Sequence, residues 1–200
     1  MPAFAERTTT AGNAAPDISP QRLLTTRILW ASLLASNFLY LGALAYVRAN
    51  RTPPPPPVSA LVVALALAGI TNAVMSFVVP RLVYQRAALA TRVDIREGLT
   101  GDPMGATQGF RTAAASGRVF SDGGAARRVA FQAFQAPFIV GMAMAEAVSL
   151  FGFVLGFLGA EWAQVLPFFA VGIAAQAVRF PTARRVEGMF EAVHGARFGG

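Results

Sequence analysis

The sequence predicts an all-α integral membrane protein: a bundle of four transmembrane helices, arranged as two hairpins, with both termini in the cytoplasm. Two features of the composition support this fold class. Hydrophobic residues make up 54% of the 200 residues, and charged residues only 14%, against about 25% in a typical soluble domain. The low charge is informative because a lipid-facing surface cannot carry it.

The third supporting observation is that the sequence contains four long apolar runs. The charged residues within these runs are Glu146 and, at the end of the fourth, Arg179. A helix of about 20 apolar residues crosses ~30 Å of hydrocarbon. The runs therefore predict transmembrane helices at about residues 28–47, 58–79, 134–158 and 162–180. Together with their connections they form one transmembrane domain, 23–180.

The segments between these runs predict how the helices are joined. Proline fixes φ and has no N–H, so Pro53–Pro57 predicts a short polyproline II link between antiparallel neighbours. Pro80 and Arg81 are expected to end the second helix. A tight turn at 159–161 joins the last two helices. The long basic segment 81–130 is predicted to be a cytoplasmic loop, whose first part, 82–99, can form a helix.

Arginine distribution predicts the orientation. All 17 basic residues are arginines, and 15 of them lie in or beside the flexible tail 1–22, the loop 81–130 and the basic tail 181–200. Cytoplasmic segments carry such an excess, so these three segments are placed inside. Arginine used to the exclusion of lysine, in an alanine-rich chain, is typical of a GC-rich bacterial genome. The predicted location is therefore the bacterial plasma (inner) membrane.

Several classes of function are excluded or disfavoured by composition. The absence of cysteine and lysine rules out disulfides, cysteine–zinc sites, a P-loop lysine and a Schiff-base lysine. No catalytic or metal-ligating set is recognisable, so no enzyme, metal or cofactor is predicted. The net charge of +7 is assigned to contacts with anionic lipid headgroups, not nucleic acid, because the arginines flank apolar runs.

Small residues recur at helical spacing and predict close packing between helices. The third run carries a stripe that includes a GxxxG motif, and the second run carries an alanine stripe. The predicted packing residues are Gly141, Ala145, Gly152 and Gly156 in the third run and Ala64 and Ala68 in the second. They indicate contacts within the bundle or, alternatively, a homo-oligomer or contacts with other membrane subunits.

Glu146 is the acidic residue deepest inside an apolar run. A bare carboxylate at this depth costs at least ~2.5 kcal/mol, so it needs a hydrogen-bonding partner, water or a cation. Asn37, Asn72 and Ser149 lie at compatible depths and are the candidate partners for an ion or proton site. The alternative is a protonated side chain that only links two helices.

Residues 145–158, AEAVSLFGFVLGFL, resemble the carboxylate-bearing helix of rotary-ATPase proteolipid subunits. The resemblance implies that Glu146 is an ion-binding carboxylate, with Ala147, Phe151 and Gly152 as its matching neighbours. Elsewhere the chain is similar to bacterial multi-pass membrane proteins in general. Two hypotheses follow: a structural or accessory component of a membrane assembly, or a proton- or cation-handling protein that uses Glu146.

The predicted orientation can be tested with fusion reporters, because basic segments remain on the cytoplasmic side. A fluorescent protein fused after Gly200, or inserted within 100–110, should fluoresce. Alkaline phosphatase inserted in the proline link 53–57 should be active. Phosphatase activity from an insertion in 100–110 would contradict the orientation.

Overall fold

The computed structural model describes residues 20–50, 57, 59–99 and 116–199. Most of the predicted N-terminal tail, the proline link apart from Pro57, and the centre of the predicted loop lie outside these residues. The described chain contains five helices and two strands: α1 (Pro20–Asn50), α2 (Ser59–Leu89), β1 (Ile95–Leu99), β2 (Ser116–Phe120), α3 (Gly123–Phe157), α4 (Trp162–Ala177) and α5 (Ala183–His194).

The prediction of a mainly helical chain with membrane-length apolar helices is confirmed. Among the described residues, three helices are long and apolar enough to cross a membrane, over Leu23–Asn50, Ser59–Leu89 and Gly123–Phe157. The fourth apolar helix, Trp162–Ala177, has 16 residues and is shorter than the ~20 that a span usually requires.

Two of the helices extend well beyond the predicted boundaries. The helix α2 continues through Pro80 to Leu89, and α3 begins at Gly123, so that Pro137 lies inside it. Proline removes one backbone hydrogen bond but does not stop a helix that is held by tertiary packing. Here Tyr84 and Ala88, in the extension of α2, are buried in a hydrophobic core.

The segment predicted as a cytoplasmic loop is folded at both described ends. The strands β1 and β2 pair antiparallel, with Ile95 opposite Phe120. Asp122 then caps α3, its side chain accepting a hydrogen bond from the Ala125 N–H at 2.9 Å. The sequence does not predict this hairpin, because two short strands with few apolar residues give only a weak pattern.

The predicted basic tail 181–200 also has structure. The helix α5 is capped by Thr182 and ends at Gly195, whose φ of 60° is left-handed. The chain then runs beside β2, where the Arg197 N–H donates to the Arg118 carbonyl at 2.9 Å. We call the β1–β2 hairpin, α5 and residues 195–198 together the cap. The cap encloses a hydrophobic core that includes Phe120 and Phe190.

The helix α3 is the central element of the fold, and it contacts α1, α2, α4 and α5. Two of its neighbours, α2 and α4, run antiparallel to it, whereas α1 runs parallel to it. Leu44, near the end of α1, lies against Gly156, whereas Pro80, near the end of α2, lies against Gly141. The helices α1 and α2 pack against α3 and α4 more than against each other, so they do not form the packed hairpin that the sequence predicted.

The glycines of α3 allow close approach by three different neighbours. A Cβ at Gly152 would lie 2.6 Å from Cβ of Phe168 in α4, and one at Gly156 would collide with Leu44 in α1. Gly141 and Ala145 are buried as well. The predicted alanine stripe on α2 behaves differently, since Ala64 and Ala68 are exposed.

Gly152→Ala should lower the free energy of unfolding by about 1–3 kcal/mol, because the added methyl group overpacks the α3–α4 contact. The matched control is Gly42→Ala in α1, where a Cβ would meet nothing within 4 Å. That control should be neutral or slightly stabilising, since alanine favours helix. Unfolding in a detergent titration measures both, and equal effects would contradict the packing described here.

Candidate functional site: a polar cluster joining three helices

A polar cluster joins α1, α3 and α4 in the middle of the apolar region. It consists of Ser36, Asn37, Tyr40, Glu146 and Gln176. Glu146 is half-buried, and its Oε1 accepts hydrogen bonds from Ser36 Oγ at 2.7 Å and from Tyr40 Oη at 2.9 Å. Both donors lie on one face of α1 because they are four residues apart.

The second half of the cluster is a pair of buried amides. Asn37 Nδ2 donates to Gln176 Oε1 at 2.9 Å, and both residues are fully buried. The backbone carbonyl of Gln176 also accepts a hydrogen bond from Trp30 Nε1 at 2.9 Å. Two atoms of the pair, Asn37 Oδ1 and Gln176 Nε2, have no hydrogen-bonding partner among the described residues.

The structure brings together only part of the predicted site. Asn37 shares the cluster with Glu146, although its own partner is Gln176. Asn72 instead donates to the Met144 carbonyl at 2.6 Å and so links α2 to α3. Ser149 is buried against Gly172, and its Oγ has no hydrogen bond within the described part of the chain.

Sequence reasoning did not select Gln176 as a site residue. The available signal was an uncharged polar residue one turn before the end of an apolar run. Ser36 and Tyr40 were visible as a polar stripe on α1, but they were not assigned to Glu146. Their position opposite the carboxylate depends on the rotation of α1 about its own axis, which apolar periodicity does not specify.

Polar contacts also fasten α1 near both of its ends. Arg48 donates to the Gly156 carbonyl at 2.9 Å and stacks over Trp162, with 4.7 Å from Cζ to the ring centroid. At the other end, Arg27 Nε donates to the Pro181 carbonyl at 3.4 Å. Only 11% of the residues in the apolar window of α1 are buried, against 44% in α3, so hydrogen bonds supply much of its attachment.

The chemistry available to the cluster is hydrogen bonding and proton exchange at one carboxyl group. Within the described ranges, no three histidine, cysteine, aspartate or glutamate residues are grouped closely enough to hold a metal ion. Both recorded hydrogen bonds to Glu146 reach Oε1. Either an ionised carboxylate or a neutral acid protonated on Oε2 can accept them.

In comparisons with known proteins, no family model matches the chain, and no curated protein or solved structure gives a significant match. The functional argument therefore depends on the chain's own residues. The resemblance of residues 145–158 to a proteolipid helix stays a prediction.

Tyr40→Phe should weaken the attachment of α1, because it removes one hydrogen bond to Glu146 without changing the ring. Hydrogen bonds between membrane helices contribute about 0.6 kcal/mol on average and up to about 1.7. A loss within this range is expected in a detergent unfolding titration. Tyr46→Phe is the matched control, since Tyr46 lies on the same helix and is 71% exposed. Identical results for the two variants would contradict the assigned role of Tyr40.

Proposed function

We propose that this chain is a multi-pass membrane protein with four transmembrane helices, and that it serves as a structural or accessory component of a membrane assembly. The distribution of exposure supports insertion. Large aliphatic side chains such as Leu39 and Leu67 are 72% and 61% exposed, whereas Asn37 and Gln176 are fully buried. A soluble protein is not expected to leave so extensive an apolar surface in water.

The spacing of charges along the helices fits a bilayer. On α1, Arg27 and Arg48 bracket an uncharged segment that is about 31 Å long at 1.5 Å per residue, close to the ~30 Å hydrocarbon thickness. On α2, no charged residue occurs before Arg81. The shorter α4 is followed by the apolar residue Val178, so the apolar segment continues for one residue before Arg179. We place the cap in the cytoplasm, in agreement with the arginine distribution.

One observation carries the structural role: the cluster's hydrogen bonds connect α1 to helices that otherwise hold it weakly. Ser36 and Tyr40 both donate to the carboxylate on α3, and Asn37 binds Gln176 on α4. The polar groups are therefore used to assemble the bundle. The proposed partners are lipids and either a second copy of this chain or other membrane subunits.

A second candidate function is proton or cation handling at Glu146. It is favoured by polar atoms of the cluster that take no part in the hydrogen bonds between the helices. Asn37 Oδ1 and Gln176 Nε2 are buried without partners among the described residues, and the hydrogen bonds recorded for Glu146 reach only Oε1. Unpaired buried polar atoms call for an explanation such as a bound water or ion. The proteolipid resemblance points in the same direction.

Two substitutions separate these functions. Glu146→Gln retains an acceptor but cannot ionise. Glu146→Leu removes the acceptor, which leaves the Tyr40 hydroxyl without its partner and the Ser36 hydroxyl with only the Leu33 carbonyl, at 2.7 Å. The structural role predicts a loss of stability for Glu146→Leu of about 1–3 kcal/mol and a much smaller loss for Glu146→Gln. Detergent unfolding titrations measure both values.

Proton flux in proteoliposomes tests the alternative function, proton handling, directly. The structural role predicts that wild type and Glu146→Gln leak protons no faster than protein-free vesicles with an imposed pH gradient. A wild-type flux that Glu146→Gln abolishes would overturn the structural role and support proton handling.

A further inference from the structure

A cavity of about 260 Å³ lies where α2, α3 and α5 meet the segment that follows α4. Its lining combines three arginines, Arg81, Arg179 and Arg185, with apolar side chains that include Phe134, Phe138 and Met189. The polar cluster around Glu146 shares none of these residues. The cavity is smaller than the ~300–1,000 Å³ of pockets that enclose whole drug-sized ligands, so it suits a headgroup.

The most informative of these arginines is Arg179, which is only 7% exposed. Its Nη2 donates to the backbone carbonyl and the hydroxyl of Ser76, at 2.7 and 2.9 Å, and its Nη1 donates to the Ala175 carbonyl. The guanidinium also stacks on Phe77, with 4.0 Å from Cζ to the ring centroid. All these contacts hold the group in a fixed orientation, but none supplies a negative charge.

A buried cation normally has an anionic partner, because removing a charge from water is costly without one. Among the described residues, Arg179 forms no salt bridge; the ion pair recorded there joins Arg127 to Glu187 at 2.9 Å. Arg185 lies near enough for the two positive charges to repel. The cavity therefore concentrates positive charge that the described chain does not neutralise.

We propose that this cavity binds the phosphate group of an anionic amphiphile, in the first instance an anionic membrane phospholipid. Guanidinium groups bind phosphate through charge-assisted hydrogen bonds. Arg81 and Arg185 can donate these bonds, the buried Arg179 adds positive charge, and the apolar lining can contact the glycerol and the first acyl carbons. Basic pockets between helices on the cytoplasmic side suit anionic headgroups. The lipid source rests on the proposed membrane insertion, whereas the phosphate chemistry rests on the arginines alone.

The test uses the purified full-length chain in a neutral detergent and measures the thermal shift produced by short-chain phosphatidylglycerol. A ligand that binds the folded state raises its apparent stability. Phosphatidylglycerol should stabilise the chain, and phosphatidylcholine with the same acyl chains should not. Equal stabilisation by the two lipids would overturn the proposal.

Substitutions on the rim make the test specific. Arg81→Gln and Arg185→Gln, both at exposed positions, should each weaken phosphatidylglycerol binding about fivefold, as expected for the loss of one nearby charge. The control is Arg184→Gln, which removes an exposed arginine of α5 that does not line the cavity. If Arg184→Gln weakens binding as much as Arg185→Gln, general surface charge explains the effect and the proposed site is wrong.

Arg179→Gln should abolish binding, but it also removes the contact with Ser76 and so risks unfolding the chain. The conclusion therefore depends on Arg81 and Arg185. Inorganic phosphate is titrated in a separate arm. Stabilisation by millimolar phosphate that Arg185→Gln removes would identify a soluble phosphate as the source, and stabilisation by the lipid alone would identify the headgroup.

A failure of this proposal can be distinguished from a failure of membrane insertion. Alkaline carbonate extraction of cell membranes tests insertion without reference to the cavity. A chain released by carbonate would contradict insertion and leave the phosphate titration as the test of the site. A chain retained in the membrane that shows no preference for phosphatidylglycerol and no response to phosphate would overturn only the site.

Discussion

A polar side chain buried among apolar groups costs free energy unless it is hydrogen-bonded within the protein. The attachment of α1 follows from that constraint. Ser36, Tyr40 and Asn37 lie on an otherwise apolar helix, and each is matched by a group on α3 or α4. These matches define the rotation of α1 about its axis and its position along α3. Apolar contacts such as Leu44 against Gly156 add to the attachment of α1.

The cap and the apolar helices form one continuous structure because α2 and α3 extend from one into the other. Tyr84 and Ala88 of α2 share a hydrophobic core with Phe134 of α3 and Phe190 of α5. The arginine-lined cavity lies at this junction, and Arg179 joins the end of α4 to Ser76 of α2. An anion bound there would lie against α2, α3 and α5 and against Arg179, which follows α4. It would therefore stabilise their junction as well as occupy the cavity.

The sequence predicts the apolar helices well because charge depletion and run length directly reflect compatibility with lipid. It predicts helix ends poorly, since α2 continues past Pro80 and α3 begins at Gly123, well before the predicted start at 134. The hairpin β1–β2 escaped prediction because its strands have only five residues each and are partly supported by distant residues. Arg197, which bridges to β2, is far from it in the chain.

The dependence on contacts between distant parts of the chain also explains how much of the site could be predicted. Glu146 stands out because a single charge in a long apolar run is costly. Its partners do not stand out, since serine, asparagine and tyrosine occur at similar depths on several helices. The choice between Ser36 and Ser149, for example, depends on which face of α3 meets which neighbour. Ser149 faces Gly172 on α4, whereas Glu146 faces α1.

The fastening role alone does not explain why the central acceptor is a carboxyl group. The two hydroxyl donors require one oxygen with two lone pairs, which a glutamine amide would provide at a lower desolvation cost. A carboxyl group differs from an amide in having a second oxygen that can gain or lose a proton. In Glu146 the recorded hydrogen bonds leave that oxygen, Oε2, uncommitted. An ionised carboxylate shares its negative charge between both oxygens, so a proton on Oε2 would also weaken the hydrogen bonds that Oε1 accepts. The two proposed roles of the cluster are therefore coupled through one side chain.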